Sequence, residues 1–161
     1  MIYLSGPIIH QNLRKDDFYH MVIDSLQSKG HDVFAPQFMP PAESEIIYKR
    51  DVDAVERCNV LLGEVSSPSL GVGMEIMLAI RLSKPIILFY NPSHGALSRM
   101  ISGAPGVAIF EYSTIDEVRT IVDRLDLDHV QVDMLCPNCK TSVTEYTDTK
   151  KRCVVCGKEL S

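Results

Sequence analysis

The chain has 161 residues, 45% of them hydrophobic, so it is long enough for one domain of ordinary size and a small appendage. Its net charge of −5 at pH 7 argues against a large non-specific surface for nucleic acid. No apolar run approaches the roughly 20 residues that a membrane span needs, and the first ten residues lack the basic leader of a secretion signal. These features predict a cytoplasmic protein without membrane contact.

Strand and helix patterns alternate along most of the chain. Short apolar runs predict strands over residues 2–5, 31–35, 59–65, 85–90 and 107–112. Apolar residues at helical spacing predict helices from Phe18 to the closing Gly30 and over residues 43–58, 74–82, 96–101 and 114–126. Five such alternations predict an α/β domain over residues 1–128, with a five-stranded parallel sheet in the order 2-1-3-4-5 covered on both faces. The three prolines of residues 36–41 predict a loop.

The stretch of residues 64–80 is the centre of this pattern. It joins a buried strand, a turn rich in serine and glycine, and the start of an apolar helix, an arrangement that commonly holds an anion. Glu75 lies about one turn into that helix among apolar neighbours, where an ionised carboxylate is costly unless it is paired or faces a cleft. Glu75 is therefore either a structural acid or a catalytic carboxylate at the mouth of an anion site.

Asp51 is a second acid at a position where a core residue is expected. The helix of residues 43–58 has an apolar stripe, and Asp51 lies on that stripe, four residues after Ile47. Asp51 could cap a neighbouring helix or pair with Arg50. However, the two inward acids flank one strand, and open α/β sheets bind ligands near the carboxyl ends of their strands.

Four of the five cysteines lie near the end of the chain in two CxxC pairs separated by thirteen residues. Each pair makes a tight turn with two thiolates, and four thiolates satisfy tetrahedral zinc. The spacing predicts a structural Zn²⁺ in a small zinc-ribbon domain over residues 129–161, containing a hairpin and held by Cys136, Cys139, Cys153 and Cys156. The alternative for these four cysteines is a redox pair or disulfides. The fifth cysteine, Cys58, is predicted to be a small buried hydrophobic residue.

Three motifs resemble the nucleoside 2-deoxyribosyltransferase superfamily, most closely its 2′-deoxynucleoside 5′-monophosphate N-glycosidases. They are Tyr3-x-x-Gly6, the helix that carries Asp51, and the string PSLGVGME over residues 68–75. The resemblance covers about residues 1–126 and implies a flavodoxin-like three-layer fold, a homodimer and catalysis without a cofactor. It implies that Glu75 attacks the anomeric carbon, that Asp51 assists departure of the base and activates the incoming group, and that Tyr3 positions the nucleophile.

The same resemblance implies how the 5′ end of the substrate is held. Serines and backbone amides of the turn would bind the phosphate, with Ser98 reaching in from the partner subunit, and the corresponding positions here are Ser5, Gly6, Ser69, Gly71 and Gly73. Pro7 departs from the family pattern, which has serine there, and so lacks a hydroxyl and an N–H donor.

These residues predict cleavage of 2′-deoxynucleoside 5′-monophosphates into base and deoxyribose 5-phosphate through a covalent Glu75 intermediate. The alternative within the class is base exchange on unphosphorylated deoxynucleosides. A different class remains open, namely a non-catalytic module that binds nucleotide or nucleic acid. In that case the zinc ribbon would contact nucleic acid or protein through the basic run Lys150, Lys151 and Arg152.

Overall fold

The computed structural model describes residues 1–8, 13–147 and 150–160. Its first sheet is parallel throughout and has the order β2-β1-β3-β4-β5, as the sequence predicted. The strands are β1 (Ile2–Ser5), β2 (Val33–Phe34), β3 (Val60–Glu64), β4 (Ile86–Tyr90) and β5 (Val107–Glu111). β2 is shorter than the predicted 31–35, because the N–H of His31 bonds to the carbonyl of Leu26 and still belongs to the end of the preceding helix.

Helices cover both faces of this sheet and complete three layers. They are α1 (Asp16–Ser28), α2 (Ser44–Arg57), α3 (Leu70–Arg81), α4 (Arg99–Ser102) and α5 (Ile115–Arg124). Residues of α1 and α5 share one hydrophobic core with β1, β3 and β4, and residues of α2 and α3 share a second core on the opposite face. The predicted α/β architecture with a doubly covered sheet is confirmed.

Three predicted boundaries differ from the structure. α3 begins at Leu70 rather than at residue 74, because the side chain of Ser69 accepts a hydrogen bond from the N–H of Val72 and caps the helix. α4 is a single turn, and the predicted loop of residues 36–41 contains a 3₁₀ turn over Pro36–Phe38. The earlier start of α3 moves two predicted turn glycines, at positions 71 and 73, into the first turn of a helix.

A second, antiparallel sheet forms the end of the chain. Its strands, in spatial order, are β6 (Val130–Val132), β7 (Val143–Thr147), β8 (Lys150–Cys153) and β9 (Glu159–Leu160). The predicted hairpin corresponds to β7 and β8, extended by one strand on each side. We call residues 129–160 the ribbon.

The ribbon packs directly against the α/β domain. Val143 and Val154 are fully buried in the same core as residues of α5. At the start of the edge strand β5, the Ser142 hydroxyl accepts a hydrogen bond of 2.9 Å from the N–H of Gly106, and the Thr141 hydroxyl donates one of 2.9 Å to the carbonyl of Val107. The ribbon thus covers apolar surface and backbone groups of the larger domain. None of the described helices is long and apolar enough to cross a membrane.

Candidate active site

Strand β1 presents two hydroxyl groups to helix α3. Side chains alternate along a strand, so Tyr3 and Ser5 point to one face of the sheet and Leu4 to the other. Leu4 packs with the α1 side, whereas Tyr3 packs with the α2 and α3 side. Both Tyr3 and Ser5 are fully buried. Their hydroxyls therefore lie beneath the helix that carries Glu75.

The carboxyl group of Glu75 meets both hydroxyls. Ser5 Oγ donates a hydrogen bond to Oε2 of Glu75. The Tyr3 hydroxyl also faces this carboxyl, although it makes no hydrogen bond of normal geometry. The pKa of Glu75 is raised to about 7, and burial is the largest cause. The hydroxyls of Ser5 and Tyr3 lower the pKa, whereas the negative charge of Asp51 raises it further. The sequence-based expectation of an ionised Glu75 thus applies above about pH 7.

Tyr3 itself remains a neutral hydroxyl at any ordinary pH. Burial is the main cause that raises its pKa far above the usual tyrosine value, and the nearby carboxyl groups of Glu75 and Asp51 raise it further. A neutral buried phenol can donate a hydrogen bond but carries no charge. Tyr3 is thus placed to donate a hydrogen bond to the Glu75 carboxylate.

Asp51 lies opposite Glu75 across a cleft between α2 and α3. The cleft has a volume of about 360 Å³, and both carboxyl groups line it. Most of its other lining residues are apolar: Ile47, Val52, Val55, Met74 and Leu78. Arg50 Nε donates a hydrogen bond of 2.8 Å to Asp51 Oδ1, as one sequence-based alternative proposed. That pair is not sealed, since the Asp51 side chain is 14% exposed and faces the same open cleft as Glu75.

The residues predicted to hold the 5′ end are divided between two cavities on opposite sides of α3. Gly71 lines the cleft that contains Glu75, whereas Ser69 and Gly73 line a neighbouring cavity of about 560 Å³. Ser98 also lines this second cavity and is exposed, and it does not line the cleft of Glu75 within its own chain. Within one chain, the structure therefore does not bring Ser98 together with Glu75.

The turn after β1 is fixed by a close approach. A Cβ atom on Gly6 would lie 1.9 Å from the hydroxyl oxygen of Tyr19, which is itself fully buried. Only glycine fits at this position. The adjoining Pro7 is buried.

The structure adds two features that the sequence analysis missed. The ring of Phe34 stacks on that of Tyr3, with centroids 5.5 Å apart, and it carries the guanidinium of Arg50 at 5.9 Å. In addition, Glu64 is a fully buried third acid that accepts a hydrogen bond of 3.0 Å from the Tyr112 hydroxyl. Glu64 lies two residues after Leu62 on β3, so its side chain points to the α1 side of the sheet, away from Glu75. The alternation of side chains along the strand could have predicted this orientation from the sequence.

The four cysteines of the ribbon come together at one point. The sulfur atoms of Cys136, Cys139, Cys153 and Cys156 all lie within 4.8 Å of one another, with two pairs at 3.4 and 3.6 Å. Zinc–sulfur bonds of about 2.3 Å in a tetrahedron require sulfur–sulfur separations of about 3.8 Å. The cluster therefore has the size and donor set of a four-thiolate metal site. Cys58 is fully buried in the α2 core and does not belong to it, as predicted.

Two curated proteins resemble the chain over much of its length. "Putative 2'-deoxynucleoside 5'-phosphate N-hydrolase 1" of Methanosarcina mazei is 30% identical over 142 residues, which cover 83% of each chain. The 5-hydroxymethyl-dUMP N-hydrolase of Danio rerio is 35% identical over 107 residues, which cover 65% of this chain and 69% of the relative. Both names describe enzymes that act on N-glycosidic bonds of nucleotides.

Two solved structures share the fold. A CMP N-glycosidase of Clostridium botulinum aligns with a TM-score of 0.61 at 24% identity, covering 76% of this chain and 99% of that one. A 2-deoxyribosyltransferase of Bacillus psychrosaccharolyticus aligns with a TM-score of 0.56 at 20% identity, covering 78% and 91%. Together with the observed strand order, these two alignments show that the chain has a flavodoxin-like architecture.

The sequence profile described as nucleoside 2-deoxyribosyltransferase matches residues 2–133. That span contains β1, the helix of Asp51, the helix of Glu75 and the whole parallel sheet. The chain therefore belongs to the nucleoside 2-deoxyribosyltransferase family, as its PSLGVGME string and Tyr3-x-x-Gly6 motif predicted.

Proposed function

We propose that this protein hydrolyses the N-glycosidic bond of 2′-deoxynucleoside 5′-monophosphates to give a free base and deoxyribose 5-phosphate. The observation that carries the proposal is that Glu75 and Asp51, from different helices, line one cleft. Glycosidic cleavage by a covalent route needs two such carboxyl groups, one as nucleophile and one as acid and base. The names of the relatives, which specify 2′-deoxynucleoside 5′-phosphates and 5-hydroxymethyl-dUMP, support this choice of substrate.

In the first step, a carboxylate oxygen of Glu75 bonds to the anomeric carbon while the carbon–nitrogen bond to the base breaks. The base leaves with a proton supplied by Asp51. The negative carboxylate also stabilises the positive charge that develops on the sugar. In the second step, water attacks the same carbon, Asp51 takes the water proton, and the bond to Glu75 breaks. Both catalytic groups are then restored.

The pKa of Glu75 determines how the rate of this reaction depends on pH. Only the ionised carboxylate is nucleophilic, and burial raises the pKa of Glu75 to about 7. The rate at low substrate concentration should therefore increase as pH rises through about 7. Ser5 and Tyr3 serve as positioning residues that stabilise the charged form of Glu75.

The 5′ end of the substrate would be bound at the start of α3. This end offers backbone N–H groups and the positive end of a helix of twelve residues, with Ser69 as its cap. We assign Gly71, Gly73 and Ser69 to this subsite, together with Ser5 and Gly6 at the end of β1. Ser98 would complete it from a second copy of the chain.

We propose a homodimer formed through the faces of α3 and α4. Several large apolar side chains there are exposed: Leu70, Met74, Met77 and Met100. A contiguous group of this kind marks an interaction surface in a folded protein. Met74 lines the cleft of Glu75 and Met100 lines the cavity of Ser98, so a partner on this surface would bring the two cavities close together.

We assign a structural zinc ion to the four-cysteine cluster, and no metal to the reaction. Four thiolates fill the tetrahedral coordination of zinc and leave no position for substrate, so the bound ion would supply structural cross-linking rather than Lewis-acid chemistry. Thiols kept for metal binding are typical of a reducing compartment, which supports a cytoplasmic location.

Binding of nucleic acid by the ribbon is the candidate function from another class, and the charges of the ribbon disfavour it. Each cation of its basic run has an acidic partner. Lys150 pairs with Glu159 at 2.7 Å, Lys151 with Asp133 at 2.5 Å, and Arg152 with Glu145 at 2.7 Å. Neutralised cations contribute little to phosphate binding.

The test is incubation of the protein with deoxynucleoside monophosphates, with and without an added free base. Base and deoxyribose 5-phosphate are the expected products in both cases, whereas a new nucleoside or nucleotide would establish base exchange. Glu75→Gln and Asp51→Asn should each lose at least about 100-fold in kcat. Glu56→Gln, an exposed acid on α2, is the matched control and should keep full activity.

A 2′-fluoro substrate analogue provides the direct test of the covalent step. It should add the mass of a fluorinated sugar phosphate to the peptide that contains Glu75. Labelling of a different residue, or turnover that survives in Glu75→Gln, would contradict the assigned nucleophile.

A further inference from the structure

We propose that Arg50 is a positioning residue for the acid–base group Asp51. Its Nε–H holds one carboxylate oxygen of Asp51, while its guanidinium rests on an aromatic stack that extends to the nucleophile. This inference rests on the proposed function. It adds a residue of α2 to the two carboxyl groups of that function.

The contact between Arg50 and Asp51 is not a consequence of helix geometry. Neighbouring residues of an α-helix project about 100° apart, so their side chains do not normally meet. Here Arg50 Nε lies 2.8 Å from Asp51 Oδ1, and both side chains are largely buried, with exposed fractions of 24% and 14%. The arginine side chain must therefore fold back along α2, and something outside α2 has to hold it there.

The aromatic stack supplies that support. The guanidinium of Arg50 lies over the ring of Phe34, 5.9 Å from its centroid. Phe34 in turn stacks on Tyr3 at 5.5 Å, with an angle of 26° between the rings. Cations bind favourably to aromatic faces, and a planar guanidinium can stack while it donates hydrogen bonds in its own plane. Strand β2 therefore fixes the position of an arginine that belongs to α2.

The far end of the stack is the nucleophile. The buried hydroxyl of Tyr3 faces Glu75, and Tyr3 lies within electrostatic reach of both Asp51 and Arg50. One continuous set of contacts thus joins Arg50 to Phe34, Tyr3 and Glu75. This set fixes the distance between the two catalytic carboxyl groups from the side of the sheet.

The chemical consequence concerns which oxygen of Asp51 transfers the proton. Because Arg50 occupies Oδ1, the second oxygen is the one left to face the cleft and the departing base. A carboxyl group fixed in this way does not rotate between orientations, and its precise orientation increases the rate of proton transfer to the base and from water. Loss of Arg50 should therefore slow the steps that need Asp51, with little effect on substrate binding.

The test uses two substrates that differ only in their need for an acid. A deoxynucleoside monophosphate needs a proton on its leaving base, whereas 4-nitrophenyl 2-deoxyribofuranoside 5-phosphate releases a stable phenolate without one. Arg50→Gln should lower kcat on the nucleotide by about 10- to 100-fold, with KM changed less than about threefold. In a single turnover it should release nitrophenolate at the wild-type rate, because the first step of that substrate needs no acid. Arg57→Gln is the matched control: that exposed arginine donates a hydrogen bond of 3.2 Å to the Asp53 carbonyl of its own helix.

A double-mutant cycle identifies Asp51 as the residue through which Arg50 acts. In an Asp51→Asn background, Arg50→Gln should cause no further loss on the nucleotide. Equal losses on both substrates, or losses that multiply in the double variant, would overturn the positioning role while leaving the proposed function intact. A wild-type protein that cleaves neither substrate would overturn both. Thermal unfolding of each variant separates these outcomes from loss of the fold.

Discussion

At the scale of single residues, Glu75 combines two conflicting requirements. In the proposed reaction its carboxyl must be sheltered from water to attack a sugar, yet burial disfavours its charged form and raises its pKa to about 7. Ser5 and Tyr3 offset part of that effect by presenting hydroxyls to the carboxylate. The Glu75 carboxyl, the proposed nucleophile, is therefore near the midpoint of its ionisation at neutral pH, where small changes in its surroundings have large effects on its charge.

This balance predicts how stability depends on pH. The pKa of Glu75 in the folded protein lies above the ordinary 4.5, so between pH 4.5 and about 7 the folded state binds more protons than the unfolded state. The contribution of Glu75 to stability is thus least unfavourable below pH 4.5 and worsens as pH rises towards 7. Glu75→Gln should consequently unfold nearly like the wild type at pH 4.5 but be more stable by about 3 kcal/mol at pH 8.

Denaturant unfolding at the two pH values measures this difference. Asp53→Asn, an exposed acid on α2, serves as a control for the general effect of removing one charge. A Glu75→Gln variant that is less stable than the wild type at pH 8 would show that the ionised carboxylate does not destabilise the folded protein.

At the scale of secondary-structure elements, the turn after β1 shows how packing limits the site. The sequence marks Ser5-Gly6-Pro7 as a turn, but the requirement for glycine comes from a helix residue thirteen positions later in the chain, the buried Tyr19. Nothing in the sequence indicates that Gly6 and Tyr19 are in contact. Their contact ties the turn after β1 to α1.

Gly6→Ala should therefore destabilise the protein. The new methyl carbon would lie 1.9 Å from the Tyr19 hydroxyl oxygen, and Tyr19 has no solvent-exposed space into which it can move. We expect a loss of about 1–3 kcal/mol, measured as the free energy of unfolding in denaturant. Gly73→Ala is the opposite case, since its Cβ meets no atom within 4 Å and it lies in α3, so it should stabilise by about 0.5–1 kcal/mol. Similar stability changes in the two variants would contradict this account.

At the scale of the whole molecule, the ribbon is part of the core rather than a separate attachment. The sequence places a domain boundary at residues 128–129, yet Val143 and Val154 of the ribbon are fully buried with residues of α5. Hydrogen bonds from the ribbon also cover the start of β5, the edge strand of the parallel sheet. Whether residues 129–161 form an independent domain stays a prediction from the sequence.

Removal of the metal should therefore destabilise the catalytic domain as well as the ribbon. A strong chelator, or Cys153→Ser, should lower the midpoint of thermal unfolding of the whole chain by about 10 °C, because the apolar contacts of the ribbon with α5 are lost together. Metal content by mass spectrometry should fall in Cys153→Ser but stay unchanged in Cys58→Ala, whose thiol lies outside the cluster. An α/β domain that unfolds at the same temperature without metal would refute this coupling.

Local patterns in the sequence were sufficient for most of the fold. The strands and both layers of helices follow from apolar periodicity and from residues a few positions apart, whereas right-handed crossovers restrict the strand order without fixing it. The cysteine cluster was equally predictable, since each CxxC turn is local and the spacing of the two pairs is that of a four-thiolate metal site. Boundaries were less accurate where one hydrogen bond decides them, as at Ser69 and the start of α3.

The sequence by itself determined the family, the layered α/β fold and the identity of the two acids, because these depend on motifs and periodicities within short segments. Only the tertiary structure decided that Asp51 and Glu75 share one cleft, that Arg50 reaches Phe34, and that the ribbon completes the main core. These contacts join segments far apart in the chain, and their geometry depends on how helices pack on the sheet. Sequence periodicity shows which face of an element is buried, but not which residue it meets there.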